Sequence, residues 1–130
     1  MRLGLKIAIC ATMALSACDV QQTNVVGPKE TGQFTLKSIG NEMYAMIGDP
    51  TVAADAWVSR AQQQCAGKQI CTVMGWTDGK NAATAMPMLD REAVSKVFNY
   101  SVNRNSNFEN SLFDCDVFKG IPSERCIGKE

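Results

Sequence analysis

The 130-residue sequence contains no histidine. Histidine is the usual general base of enzymes, the usual partner of serine and cysteine nucleophiles, and the commonest metal ligand. The chain also lacks a Cys-x-x-Cys redox motif, a G-x-S-x-G nucleophile elbow, and the glycine motifs that bind phosphates or dinucleotides. Any catalysis would therefore depend on carboxylates or on a serine–lysine pair, and the sequence predicts no cofactor.

The chain also lacks an apolar run of the about 20 residues that a membrane-spanning helix needs. Near its start, Arg2 and Lys6 precede a shorter uncharged run, IAICATMAL, over residues 7–15. A basic start followed by a short apolar run is typical of an export signal. Residues 1–17 are therefore predicted to be a cleaved signal peptide.

The residues that follow this run are Leu15, Ser16, Ala17 and Cys18. They resemble the lipobox of bacterial lipoproteins, in which a leucine and two small residues precede an invariant cysteine. This resemblance implies cleavage before Cys18 and attachment of diacylglycerol to its thiol, usually with acylation of the new amino terminus. Two or three acyl chains hold a protein firmly on a membrane. The alternative is ordinary secretion with cleavage after Ser16, which leaves Cys18 as a simple thiol.

Residues 18–32 are predicted to be a lipid anchor followed by a polar tether with a Gly-Pro break. Fully extended, the 14 tether residues would span about 45 to 50 Å. Asp19 directly after the anchor resembles the signal that keeps lipoproteins of enteric bacteria in the inner membrane. We therefore expect the domain to face the periplasm from the inner membrane, with the outer membrane as the alternative.

The net charge and the number of cysteines limit which partners and which cross-links the rest of the chain can have. The sequence balances 13 basic against 13 acidic residues, and removal of Arg2 and Lys6 leaves 11 against 13, a net charge of −2. This balance offers no basic surface for nucleic acid. Cys10 leaves with the signal peptide and Cys18 carries the lipid, so four of the six cysteines remain. In a chain expected in an oxidising compartment, four cysteines predict two disulfides. Of the three possible pairings, proximity in the chain favours Cys65 with Cys71 and Cys115 with Cys126, whereas stability alone would favour the pairings that close longer loops. A four-cysteine zinc site is the weaker alternative, because its cysteine pairs are usually two to four residues apart.

Residues 33–130 are predicted to form a single α+β domain with two helices on an antiparallel sheet of three or four strands. Residues 34–47 indicate a β-hairpin that turns at Gly40-Asn41. A helix is predicted between Asp49 and Gly67, packing through Trp57. Residues 70–76 predict a buried central strand. A second helix capped by Asp90 is expected to bury Val94, Val97, Phe98 and Val102, and residues 111–118 predict a last strand.

A binding surface is predicted on loops, because binding residues concentrate on loops that a rigid scaffold carries. Its first part is the turn after the central strand, with Trp76, Asp78 and Lys80. Its second part is the Asn-rich segment of residues 103–110, with Arg104. For Trp76, packing in the core is the favoured role and a part in this surface is the alternative. Replacement of Asp78, Lys80 and Arg104 together is expected to weaken partner capture and leave stability nearly unchanged.

The resulting hypothesis is a membrane-anchored, non-catalytic binding module of the cell envelope, with an envelope protein or a cell-wall component as its partner. In format alone it resembles small disulfide-bonded lipoproteins that inhibit lysozymes or confer immunity to toxic effectors. One alternative is a small envelope hydrolase that uses carboxylates such as Asp78 and Asp90.

Another alternative is a metal-binding lipoprotein. Asp114, Asp116 and Glu109 are candidate calcium ligands, because carboxylates two apart on a strand share a face. Methionine thioethers bind Cu(I). The candidate Cu(I) ligands are Met43, Met46, Met86 and Met88.

Overall fold

The computed structural model describes residues 33–128, and the predicted signal peptide, Cys18, Asp19 and the tether lie outside that range. The described residues contain five strands, two α-helices and two short 3₁₀ turns. The strands are β1 (Phe34–Gly40), β2 (Met43–Gly48), β3 (Ile70–Trp76), β4 (Phe98–Asn103) and β5 (Phe108–Phe113), and the helices are α1 (Ala54–Gln64) and α2 (Asp90–Ser95).

The five strands form one sheet in chain order, β1-β2-β3-β4-β5. All neighbours are antiparallel except β2 and β3, which are parallel because α1 carries the chain back between them. The α+β class is therefore confirmed. The prediction of an antiparallel sheet of three or four strands is wrong, because the sheet is mixed and has five strands.

The strand that the sequence analysis missed is β4. Helix α2 ends at Ser95, and Lys96 is already extended with φ −65° and ψ 132°. Val94, predicted to face inward, is 84% exposed. Phe98 begins a segment in which every second residue is buried. The apolar spacing fits a helical period, whereas the pairing of β4 with both β3 and β5 imposes a period of two.

Strand β5 begins and ends earlier than predicted. It starts at Phe108 within the Asn-rich segment and ends at Phe113. Residues 115–117 form a turn, so Cys115 does not lie on the strand as predicted. The hairpin between β4 and β5 turns at residues 104–107, where Asn107 has a positive φ of 57°. Asparagine tolerates this conformation better than most residues, which accounts for a turn at this place.

The predicted first hairpin and first helix are present, with shifted ends. The β1–β2 turn lies at Asn41 and Glu42, one residue later than predicted. Helix α1 begins at Ala54 rather than next to Asp49, whose carboxylate instead accepts hydrogen bonds from the amide and hydroxyl of Thr51 at 2.8 and 2.7 Å. Gly67 has a φ of +79°, which agrees with its predicted role beyond the helix end.

The main core lies between the sheet and α1. Trp57 of α1 is fully buried, as predicted, and its indole contacts the rings of Phe34, Phe98 and Phe118 at centroid distances of 5.1 to 5.6 Å. Gly75 of β3 makes room for this indole, because a Cβ there would lie 2.7 Å from the Trp57 ring.

A smaller core lies on the opposite side of the sheet, under the segment that joins β3 to β4. It contains Ile39, Ala45, Met74, Trp76, Ala82 and Ala83. Within the described residues, neither helix is long and apolar enough to cross a membrane.

Candidate functional site

A polar groove lies between α1 and the edge strand β5. Its volume is about 300 Å³, and it is lined by Val58, Gln62, Tyr100, Glu109, Asn110, Ser111 and Arg125. A second cavity of about 300 Å³ adjoins it at the β4–β5 turn and is lined by Val102, Arg104, Asn107, Phe108 and Glu109. Glu109 belongs to both cavities, so its carboxylate is the central feature of this surface.

The strand register places the groove residues on the side of the sheet that α1 covers. Tyr100 pairs with Ser111 and Val102 pairs with Glu109 across the β4–β5 ladder. Residues directly opposite each other in an antiparallel pair point to the same side. Val58 and Gln62 complete the wall because residues four apart lie on one face of a helix.

A hydrogen bond of 2.6 Å joins the phenol of Tyr100 to Oε2 of Glu109. The side-chain amide of Gln62 donates to the same oxygen at 3.1 Å. Tyr100 is only 2% exposed, whereas Glu109 is exposed. The carboxylate is therefore held in place from below by two neutral donors.

These contacts fix the protonation of both groups. Burial, followed by the hydrogen bond to Glu109, raises the pKa of Tyr100 to about 12. The hydrogen bond from Tyr100, followed by that from Gln62, lowers the pKa of Glu109. At neutral pH Tyr100 therefore remains a donor and Glu109 remains an ionised acceptor.

Arg125 supplies the positive charge of the groove. Its Nε donates to the backbone carbonyl of Ser111 at 3.3 Å, and its Nη2 donates to the Ser111 hydroxyl. The guanidinium also lies over the Phe113 ring, 5.3 Å from the centroid. Arg125 is therefore attached to the edge of β5 by polar contacts and by a cation–π contact.

The second disulfide holds the segment that carries this arginine. Cys115 and Cys126 are bonded, with their Cα atoms 5.5 Å apart. Next to them, the Ile127 amide donates to the Phe113 carbonyl at 2.7 Å. The disulfide thus folds the C-terminal segment back against β5 and positions Arg125.

The first disulfide holds the other wall. Cys65 follows α1 and Cys71 lies on β3, with Cα atoms 5.6 Å apart and both side chains fully buried. This bond fixes the end of the helix that carries Gln62. The pairing of all four cysteines is the one that the sequence analysis favoured.

Trp76 does not belong to an exposed surface. Its side chain is 0% exposed, and its indole N–H donates to the Glu92 carbonyl at 2.8 Å. The binding role predicted for Trp76 is therefore wrong, and the favoured role in the core is the one observed. Its apolar ring fills the smaller core, which removes it from contact with any partner.

The predicted two-part binding surface is not assembled. Asp78 and Lys80 follow the end of β3, where the Asp78 carboxylate accepts from the Lys80 amide at 2.9 Å. Arg104 lies in the β4–β5 turn, next to the beginning of β3, and its amide donates to the Gln69 carbonyl at 2.8 Å. Seven residues of β3 separate the two ends, which is about 20 Å at the rise of a strand.

Arg104 has a structural role that the sequence analysis missed. Its Nε donates to the Lys68 carbonyl at 2.9 Å and its Nη2 donates to the Cys65 carbonyl at 3.3 Å. These carbonyls lie just after the end of α1. Arginine side chains commonly donate to carbonyls at the C-terminal end of a helix. These two hydrogen bonds argue against the expectation that Arg104 can be replaced at little cost in stability.

The candidate metal ligands are dispersed. Within residues 33–128 no group of three or more His, Cys, Asp or Glu side chains could hold a metal ion. Asp114 and Asp116 follow the end of β5, so they do not share a strand face with Glu109, and the Asp114 carboxylate accepts from the Asp116 amide at 2.9 Å. The four cysteines are bonded in disulfides, which excludes their predicted zinc alternative.

The methionines do not form one set either. Met46 is fully buried in the main core beside α1, whereas Met43 and Met88 pack on the smaller core across the sheet. The sheet therefore separates Met46 from the others, whereas Met86 lies beside Met43, since a Cβ on Gly40 would contact both side chains.

Tyr100, Gln62 and Arg125 were not predicted as site residues, and Glu109 was considered only as a calcium ligand. The signal for Tyr100 was present in the alternation of Phe98, Tyr100 and Val102, which is typical of a strand. The position of Arg125 depends on a tertiary contact with β5, which no local pattern indicates.

In comparisons with protein-family models, curated proteins and solved structures, the chain has no match. The function is therefore argued from the groove and from the sequence.

Proposed function

We propose that this chain is a lipid-anchored, non-catalytic binding module of the bacterial cell envelope and that the groove between α1 and β5 is its binding site. The observation that carries this proposal is the fixed arrangement of Tyr100, Glu109 and Arg125 in one exposed cavity. A few polar groups placed in a pocket of this kind provide orientation and specificity for a ligand.

The protonation of the groove favours binding over catalysis. A hydrolase that uses carboxylates needs one carboxyl whose pKa is raised, so that it can donate a proton near neutral pH. The pKa of Glu109 is instead lowered, and the phenol of Tyr100 ionises only near pH 12. The pair can hold a ligand but is poorly suited to transfer a proton to it.

The lipobox motif supports the proposed location. Lipid on Cys18 would hold the chain on a membrane, and the polar residues that follow would let the domain move about 45 to 50 Å from that surface. Asp19 favours the inner membrane. An envelope protein or a cell-wall component is the partner such an anchor would bring within reach.

Capture of an envelope partner by the full lipidated chain tests the proposal. Glu109→Gln and Arg125→Gln should each weaken capture about tenfold or more, because each removes a charged hydrogen-bonding group. Lys80→Gln, at the other end of the sheet, is the matched control and should capture normally. Equal capture by all four proteins would refute the groove as the site.

Turnover distinguishes the hydrolase alternative. The purified chain should leave wall glycan and wall peptide intact. Hydrolysis that Asp78→Asn or Asp90→Asn abolishes would establish the enzyme instead.

A further inference from the structure

The two charges of the groove are not paired with each other. Glu109 and Arg125 line the same cavity, yet in the described part of the chain no ion pair joins them. Glu109 is held by two neutral donors and also lies in the field of Arg104, which lines the adjoining cavity, whereas Arg125 is held by Ser111 and by a ring. The fold therefore keeps a negative and a positive group apart, each on its own support.

The separation between the supports is set by the strand. Arg125 is bound at Ser111, and Ser111 lies two residues from Glu109 on the same side of β5. Two residues of a strand span about 6.6 Å. A small ligand that lies along β5 would therefore reach both charged groups at once.

Both groups retain hydrogen-bonding capacity. The two hydrogen bonds to Glu109 use Oε2, so Oε1 has no hydrogen bond from a donor in residues 33–128. Arg125 uses Nε and Nη2, whereas a guanidinium carries five N–H donors. One carboxylate oxygen and at least two N–H groups remain for a ligand.

A ligand of a single charge would satisfy only half of this site. A cation would pair with Glu109 and lie near the unneutralised Arg125, and an anion would have the reverse problem. A ligand that carries both charges could place its positive group on Glu109 and its negative group on Arg125. Each ligand charge would then lie next to a protein group of opposite charge. The volume of about 300 Å³ is at the lower end of the range for ligand pockets, which favours a compact group.

We propose that the groove binds a compact zwitterion, with an ammonium group on Glu109 and a carboxylate on Arg125. This is the chemistry of a free amino acid and also of an amino-acid end on a wall peptide, such as the free end of a diaminopimelate side chain. The inference rests on the proposed function, because it names the group that the partner presents to the groove.

Calorimetric titration of the full chain with three small probes tests the pairing. The probes are alanine, propanoate, which lacks the ammonium group, and ethylamine, which lacks the carboxylate. Alanine should bind, and the other two should bind at least about tenfold more weakly, because each loses one charge-assisted contact. Equal binding of the three probes would overturn the inference. It would also be overturned if neither alanine nor the wall peptide described below showed saturable binding.

Variants assign the two ends. Glu109→Gln should remove the advantage of alanine over propanoate, and Arg125→Gln should remove its advantage over ethylamine. Arg125→Lys keeps the charge and should retain part of the affinity, and Lys80→Gln should behave as wild type. A uniform loss for all probes in a variant that melts at the wild-type temperature would contradict the assignment.

A wall peptide with a free diaminopimelate end, compared with its amidated form, separates the two sources. Tighter binding of the free peptide than of alanine identifies a wall peptide as the source, and equal binding identifies the free amino acid. If the variants lose partner capture while neither alanine nor the free peptide binds, the proposed function stands and this inference fails.

Discussion

The hydrogen bond between Tyr100 and Glu109 gives a prediction that the structure makes quantitative. Tyr100→Phe removes one hydroxyl and leaves the buried ring in place. A hydrogen bond to a charged group contributes about 1.5 to 3 kcal/mol. Glu109 is exposed and keeps the bond from Gln62, so solvent screening reduces the loss to the lower limit of that range or slightly below it, at about 1 to 1.5 kcal/mol.

Thermal unfolding measures this loss. For a domain of this size, 1 kcal/mol lowers the melting temperature by about 4 to 8 °C. Tyr44→Phe is the matched control, because the phenol of the half-buried Tyr44 also donates to a carboxylate, that of Glu42 at 3.0 Å, but this hydrogen bond is exposed to solvent. The control should change stability by under about 0.5 kcal/mol.

A double-mutant cycle isolates the contact from other effects of the substitution. Tyr100→Phe and Glu109→Gln together should cost less than the sum of the two single variants, by about 1 kcal/mol. Additive losses, or a Tyr100→Phe variant as stable as wild type, would refute the role assigned to this pair.

The same pair predicts a defined pH window. The pKa of Glu109 is lowered on folding, so its contribution is present above its unfolded value and is lost as the pH falls through the folded value. The pKa of Tyr100 is raised to about 12, so its contribution is present below about pH 10 and is lost as the pH rises through 12. The coupling energy should therefore be constant between about pH 5 and pH 9.

Three further predictions concern packing, the helix end and the second disulfide. Gly75→Ala should cost about 1 to 3 kcal/mol in a denaturant titration, because its Cβ would lie 2.7 Å from a buried indole, whereas Gly79→Ala, with its nearest atom at 3.9 Å, should be close to neutral. Arg104→Gln should lower the melting temperature measurably by removing its bonds to the carbonyls after α1, and an unchanged value would contradict that role. Serine at both Cys115 and Cys126 should cost about 3 kcal/mol and also weaken capture by the groove, and normal capture would show that the disulfide does not position the arginine.

The sequence predicted the elements whose signals are local. The alternating residues of β1 and β2 around a short turn, the apolar run of β3 and the packing of Trp57 are all present. Loop length also ranked the disulfide pairing in the observed order. Each of these features depends on residues close together in the chain.

The elements that were missed depend on contacts between distant residues. The apolar residues 94–102 fit a helical stripe nearly as well as a strand, and the neighbours β3 and β5 decide in favour of the strand. The binding role of Trp76 fails for the same reason, because the segment that joins β3 to β4 folds over the sheet and buries its indole. The groove combines α1, β4, β5 and the C-terminal segment, so no single stretch of sequence indicated it.

Site-specific photo-crosslinking in the envelope tests the central claim most directly. A benzoylphenylalanine placed at Gln62 lies in the groove and leaves the bond between Tyr100 and Glu109 in place, and one placed at Lys80 lies at the opposite end of the sheet. Both positions are exposed. We expect a discrete adduct from position 62 that Arg125→Gln weakens, with no such adduct from position 80. An adduct from position 80 alone, or the same adduct from both positions, would contradict the groove as the binding site.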